Sequence, residues 1–232
     1  MLPAVSDLPP IEPPESTPLR VPRSLKALLS ADLDPVARYG LIVAALTGIC
    51  TIVGIALSPY LLAEHPLLLV MMSPIPRHML LAAPRLDLGS YLAAGFVRRV
   101  FSASGGVCLG LRFGEGGIAW AEQHDGQLKR GAAALRWAFK RVGLLVVFVS
   151  PNPFVAATAV AMGKSPRAVL ATSAAGHVSW LLIWYRFGDL AREFIAPITE
   201  FFQRYTWQST AVCVVFVALT YGRRFRRQRP QA

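Results

Sequence analysis

Apolar residues in this chain gather in long runs instead of alternating with polar ones. Residues 39–63 contain no charged side chain, and neither do residues 143–163. A helical crossing of a hydrocarbon core takes roughly 20 apolar residues, so 39–63 predicts a spanning helix. The next run, PLLLVMMSPIPRHMLLAAP from residue 66, is interrupted by Pro74 and Pro76. Proline withholds a backbone donor and disfavours helix in the residue before it. Two apolar arms, each too short to cross, then predict a re-entrant hairpin, with a kinked spanning helix as the alternative. Residues 143–163 repeat the pattern: Ser150-Pro151-Asn152-Pro153 sits near the middle and predicts a second hairpin mirroring the first.

Residues 88–113 are apolar apart from Arg98 and Arg99, with Arg112 at the very end, and predict another span. Ser102, Ala103, Ser104, Gly105, Gly106 and Gly110 crowd its second half, and small residues let helix backbones approach closely in lipid. A third span is expected at 168–185, with His177 inside it and Trp180, Trp184 and Tyr185 as an aromatic belt. Residues 186–206 are mixed and amphipathic, and 207–221 predicts a short last span. The polar stretch from 115 to 142 ends in an amphipathic segment with Leu128, Leu135, Phe139 and Val142 on one face. That segment fits a helix lying in the membrane interface. The expected fold class is an all-α integral membrane protein with about four transmembrane helices, two opposed re-entrant hairpins and an interfacial amphipathic helix.

Outside these elements lie two tails. Residues 1–37 are rich in proline and are expected to be a largely disordered cytoplasmic tail, with a short surface helix at 24–30 and no signal-peptide pattern. Residues 38–222 form the expected membrane domain, and 223–232 a basic tail. Composition agrees: 54% of the 232 residues are hydrophobic and 16% charged, against about 25% charged in soluble domains. The net charge of +11 raises nucleic acid as a partner. The arginines instead cluster at the ends of apolar runs, with no basic stripe among exposed aromatics, so no nucleic-acid partner is expected. With both termini inside, seventeen Lys and Arg fall on the inner side and five on the outer. That bias predicts a multi-pass protein of the cell membrane with cytoplasmic termini. The excess of arginine over lysine fits a bacterial plasma membrane. Cys50, Cys108 and Cys213 stand alone in apolar segments, so no metal site, cofactor or disulfide framework is expected.

Three places carry a resemblance to a known family. Cys108-Leu109-Gly110-Leu111-Arg112-Phe113-Gly114 closes a span with a glycine, a basic residue, an aromatic and a glycine. Residues 139–163 hold a glycine, an apolar run, a central proline and a closing glycine, and Ser165-Pro166-Arg167 leads into the next span. Together with the order of elements over roughly residues 40–222, these resemble the DedA family, also called the VTT or SNARE-associated family. Departures are plain. The family's second hairpin usually carries arginines on both sides of its proline, where this chain has Val149, Ser150 and Val155. An acidic residue usually precedes the glycine-rich span end, where this chain has Ser102, Ala103 and Ser104. Around the first hairpin only Glu64 remains of the usual acids, with Arg77 in the hairpin core.

The resemblance implies movement of lipids between leaflets, of polyprenyl-phosphate carriers or phospholipids. Two broken helices meeting at depth aim helix ends and free backbone groups at one cavity, which suits a phosphate. The candidate lining comprises Pro74, Pro76, Arg77, Ser150, Pro151, Asn152, Pro153 and Thr158. Arg77, Arg98 or Arg99 would pair with an anionic headgroup phosphate, because an intramembrane arginine is costly unless matched. The competing reading has these arginines snorkelling to an interface or pairing with Glu64 or Asp87. His177 is a candidate proton relay, against the plainer reading of a histidine hydrogen-bonded to a neighbouring helix. Ser173-Ala174-Ala175-Gly176-His177 resembles a segment of membrane lipid phosphatases, but such an enzyme needs a second histidine and none follows His177. The expectation is therefore no enzyme. The expected partners are membrane lipids and a second copy of the chain as a homo-oligomer. The alternative function is a non-transporting scaffold or a degenerate paralogue.

Overall fold

In a computed structural model, the structure describes residues 34–123 and 127–227. The segment before Asp34, with the short helix expected at 24–30, and the last five residues lie outside the described residues. All regular structure among the described residues is helical. The elements are α1 (Pro35–Ala56), α2 (Ser58–Glu64), α3 (Pro66–Met72), α4 (Pro76–Ala82), a 3-10 turn (Ala83–Arg85), α5 (Leu88–Gln123), α6 (Gln127–Val142), α7 (Leu145–Val149), α8 (Pro153–Ala161), α9 (Pro166–Leu190), α10 (Arg192–Arg204) and α11 (Thr206–Arg227).

Proline explains most of the helix starts. Pro35, Pro59, Pro66, Pro76, Pro153 and Pro166 all lie in the first turn of their helices, where the missing N–H has no acceptor to lose. Both expected interruptions are present. The first falls between α3 and α4, with Ser73 and Ile75 in extended backbone. The second falls between α7 and α8. Asn152 closes it by accepting a hydrogen bond from the Val155 N–H at 2.9 Å, which satisfies one of the free donors at the start of α8.

Three helices are long and apolar enough to cross a bilayer: Pro35–Ala56, Leu88–Gly114 and Pro166–Leu190. The apolar part of α11, Thr206–Thr220, is shorter. The first span is corrected at its end. A continuous helix over 39–63 was expected, but the chain turns at Leu57 and α2 begins separately, because Pro59 in its first turn cannot continue α1. Helix α1 also starts earlier than expected, inside the last residues of the proline-rich tail. Helix α5 runs past its expected end, through a kink at Gly114 (φ 46°, ψ −138°), a conformation only glycine adopts readily. Helix α11 continues to Arg227, into the expected basic tail. At the other end of α5's span, Asp87 caps the helix by accepting from the Ser90 N–H at 2.9 Å.

Two apolar cores form at opposite ends of α5 and α9. One gathers Leu61, Leu62, Leu69, Val70, Met79, Tyr91, Ala94 and Leu181 around α2–α4. The other gathers Val107, Phe139, Val147, Val155, Ala156, Ala159 and Val169 around α7 and α8. From Ala94 to Val107 is about 20 Å along the helix. Helix α6 joins the second core through Phe139, while Val142, expected on the same apolar face, is 52% exposed. Small residues set the close approaches: a Cβ on Gly106 would lie 2.7 Å from the Pro153 Cα, and one on Gly110 would lie 2.8 Å from the Ala157 Cα. The outward faces of the long helices carry exposed Ile42, Leu46, Ile49, Val97 and Leu182, an apolar surface suited to hydrocarbon.

Candidate functional site

Between the two cores lies a polar layer built from α1, α5 and the helix breaks. Arg98 and Arg99 are consecutive on α5, so they leave the helix about 100° apart and serve different neighbours. Arg98 turns towards α1. Its Nη2 donates to the Thr47 carbonyl at 2.7 Å and to the Thr51 hydroxyl at 3.2 Å. Thr51 in turn donates to the same Thr47 carbonyl at 2.7 Å. Arg98 is 9% exposed, and its Nε and Nη1 are buried without a hydrogen-bond partner. Arg99 turns the other way, and its Nη2 donates to the Pro74 carbonyl in the first break at 2.8 Å.

Arg98 lines a cavity of about 600 Å³. Its walls are Thr47, Gly48 and Thr51 from α1, Pro74 from the first break, Arg98, Ser102 and Gly106 from α5, and Pro153, Phe154 and Ala157 from α8. The first break and the start of α8, directly after the second break, therefore contribute to one cavity. Its mouth lies between α1 and α8, where Ala44, Gly48 and Phe154 are exposed on the apolar flank. It is a groove with mostly apolar walls, open on the flank of the helices, with one buried cation at its polar end. No carboxylate pairs with that cation among the described residues.

The expected site residues do not all gather there. Pro74, Pro153 and Arg98 line the cavity. Pro151 is buried within the second break. Ser150 is exposed and accepts from Asn152 Nδ2 at 3.3 Å, while Asn152 spends its oxygen on capping α8. Pro76 starts α4 and is not part of the cavity wall. Thr158 is a correction: it is 3% exposed and donates to the Phe154 carbonyl at 2.9 Å, an internal helix bond. Arg77 is a second correction. Helix α4 carries it to a separate cavity of about 370 Å³, beside Phe202 of α10 and Cys213 and Phe216 of α11. The alternative pairing of the arginines with Glu64 or Asp87 is also overturned. Glu64 is exposed, Asp87 caps α5, and Arg98 and Arg99 bind backbone carbonyls instead.

Histidine supplies what sequence reasoning missed. His177 is 2% exposed and neither ring nitrogen has a hydrogen-bond partner, so the expected bond to a neighbouring helix is not made. His78, which sequence marked only as a neighbour of Arg77, is 3% exposed with its Nδ1 2.8 Å from the Ser73 hydroxyl. That contact ties the first break to the start of α4. Tyr91 was also missed; it is fully buried with an unpartnered hydroxyl. Its spacing from Arg99, eight residues along one helix with Gly95 between, was the available signal. In comparisons with known proteins, no family model matches this chain, and it matches no curated protein and no solved structure.

Proposed function

We propose that this chain is a divergent DedA-like membrane protein that binds the anionic phosphate of a lipid headgroup at Arg98 and passes the lipid between leaflets. In this reading α1, α5 and α9 span the bilayer with α11 as a shorter fourth crossing. The α3–α4 and α7–α8 pairs enter from opposite sides as re-entrant hairpins, and both termini are cytoplasmic. The observation that carries the proposal is the buried, acid-free guanidinium of Arg98, beside a cavity walled by the first helix break and by the start of α8 that follows the second. A charged side chain at bilayer depth costs about 2.5–3.5 kcal/mol on insertion scales. A phosphate offsets that cost with charge-assisted hydrogen bonds to the two free guanidinium nitrogens. Entry from the apolar flank lets acyl or polyprenyl chains stay in hydrocarbon while the headgroup reaches the cation.

No covalent step is required, and no catalytic residues are assigned. The competing reading is a non-transporting scaffold, favoured by Val149, Ser150 and Val155 standing where the resembled family carries hairpin arginines. Proteoliposomes decide between them. Leaflet exchange of a fluorescent phospholipid and of a polyprenyl phosphate is measured in parallel for the wild type, Arg98→Gln and Arg77→Gln. The proposal expects exchange that Arg98→Gln slows at least about tenfold, the scale of one charge-assisted hydrogen bond, and that Arg77→Gln leaves largely intact. Exchange no faster than in protein-free liposomes supports the scaffold.

A further inference from the structure

Helix α11 closes on its neighbours at one end and parts from them further along. At its start Trp207 meets Tyr60 of α2 with ring centroids 5.6 Å apart, and Thr210 is buried. Beyond Thr210, a cavity of about 370 Å³ opens between α11, the α1–α2 turn, α4 and Phe202 of α10. Its floor is buried, with Leu62, Leu69 and His78 no more than 3% exposed. Its mouth is open, with Val212 and Phe216, one turn apart on α11, both 69% exposed. The volume falls within the range of about 300–1,000 Å³ that takes a small ligand. It holds one alkyl chain and is too small for a two-chain lipid.

Two observations say what fills it. First, the walls are mostly apolar and the polar groups in them are largely spent. Ser58 donates its hydroxyl to the Ile55 carbonyl at 2.9 Å, and His78 Nδ1 lies 2.8 Å from the Ser73 hydroxyl. A trapped water needs about two to four polar partners, so hydrocarbon is the better filling. Second, Arg77 stands exposed in the cavity wall. It makes no hydrogen bond or ion pair among the described residues, and no acidic side chain lines the cavity with it. A guanidinium beside hydrocarbon is costly unless an anion matches it.

We propose that this cavity binds one alkyl chain of an anionic amphiphile, with Arg77 holding the head at the mouth. The chain fills space that the side chains of α11 leave open, and so ties α11 to α2 and α4. The site is separate from the Arg98 cavity. It rests on α11 lying in the bilayer and not on lipid exchange, which Arg77→Gln leaves largely intact. A carboxylate head and a phosphate head share the required chemistry.

Cys213 lines the cavity as a free thiol and reports on its filling. The test uses the full chain with Cys50→Ala and Cys108→Ala in phosphatidylcholine nanodiscs, and follows the rate at which N-ethylmaleimide labels Cys213. Laurate, dodecyl phosphate and dodecanol, which share one chain, are added at matched mole fractions in the bilayer. The proposal expects saturable slowing of labelling. At least one anion is half-effective at a mole fraction about tenfold below that of dodecanol, the scale of one hydrogen bond to a charged group, and the stronger anion names the head. Arg77→Gln brings the anions level with dodecanol, and Arg98→Gln keeps the difference. Dodecanol still slows labelling in Arg77→Gln, which shows that the variant keeps its cavity. Slowing by none of the three, equal slowing by all three in the wild type, or a preference for the anions that survives Arg77→Gln overturns the proposal. So does a Cys213 that N-ethylmaleimide fails to reach without amphiphile. Lost exchange with this protection intact contradicts the Arg98 reading alone, and the reverse contradicts this one alone.

Discussion

Replacing Gly106 with alanine tests the contact that brings the second break to α5. The added Cβ would lie 2.7 Å from the Pro153 Cα and 2.8 Å from its carbonyl carbon, with the carbonyl oxygen closer still, where ordinary contact begins at 3.4 Å. These are backbone atoms, so no rotamer change relieves the overlap and α8 must move away from α5. Overpacking costs about 1–3 kcal/mol, and an unyielding backbone puts this case near about 3. Alanine regains about 1 kcal/mol of helix propensity over glycine, leaving a net loss of about 2 kcal/mol by these two principles. Gly48 is the internal control, because a Cβ there meets nothing within 4 Å; Gly48→Ala therefore gains up to about 1 kcal/mol. Gly110 stands one turn on and faces the Ala157 backbone in the same way. Once α8 has moved for one substitution it has room for the other, so Gly106→Ala with Gly110→Ala costs less than the sum of the singles. The folded fraction across a mixed-micelle dodecyl sulfate titration measures the four variants against the wild type. If Gly106→Ala is as stable as Gly48→Ala, α8 does not pack on α5 at this point and the cavity loses one wall.

The remaining predictions concern caps, backbone and exchange. Asn152→Ala removes the α8 cap and lowers stability by about 1 kcal/mol in the same titration, with Asn152→Asp restoring most of it. Gly114→Ala places a Cβ in a backbone region closed to it (φ 46°, ψ −138°) and costs about 1–3 kcal/mol, or straightens the kink, which a change in α5 helicity by circular dichroism detects. The Ser90 backbone N–H, followed by its hydroxyl, holds the Asp87 carboxyl below its ordinary value of 3.8. The cap therefore supports α5 fully above that pH and is lost as pH falls through the lowered value, so Asp87→Ala flattens the acid limb of the stability profile. Arg98→Lys keeps the charge but loses the forked donors, and leaves exchange slower than wild type and faster than Arg98→Gln.

Much of the architecture was legible because its cause is local. Proline acts on its own residue and the one before it, so Pro74, Pro76, Pro151 and Pro153 announced both breaks without any knowledge of the fold. The glycines after Ser104 announced a close approach for a similar reason: only their size matters. The end of the first span was misread although the signal was present, since Pro59 breaks α1 as surely as Pro76 starts α4. The direction of side chains was not legible. Arg77 follows the first break in sequence, yet the turn of α4 carries it to the α11 side. Arg98 and Arg99 looked interchangeable and serve separate places, because one residue along a helix is a large rotation. The packing of α5 on α9 depends on a register that Tyr91–Tyr185 and Gly95–Leu181 set and no single segment contains.

The central claim is that both helix breaks meet at bilayer depth beside Arg98. Spin labels at Ile75→Cys and Phe154→Cys, in a background with Cys50, Cys108 and Cys213 replaced, test it in reconstituted membranes. The account predicts mutual dipolar broadening of the two labels, with collisional access to oxygen dissolved in hydrocarbon and little access to a water-soluble nickel chelate. Two labels that ignore each other, or that the chelate reaches freely, contradict it.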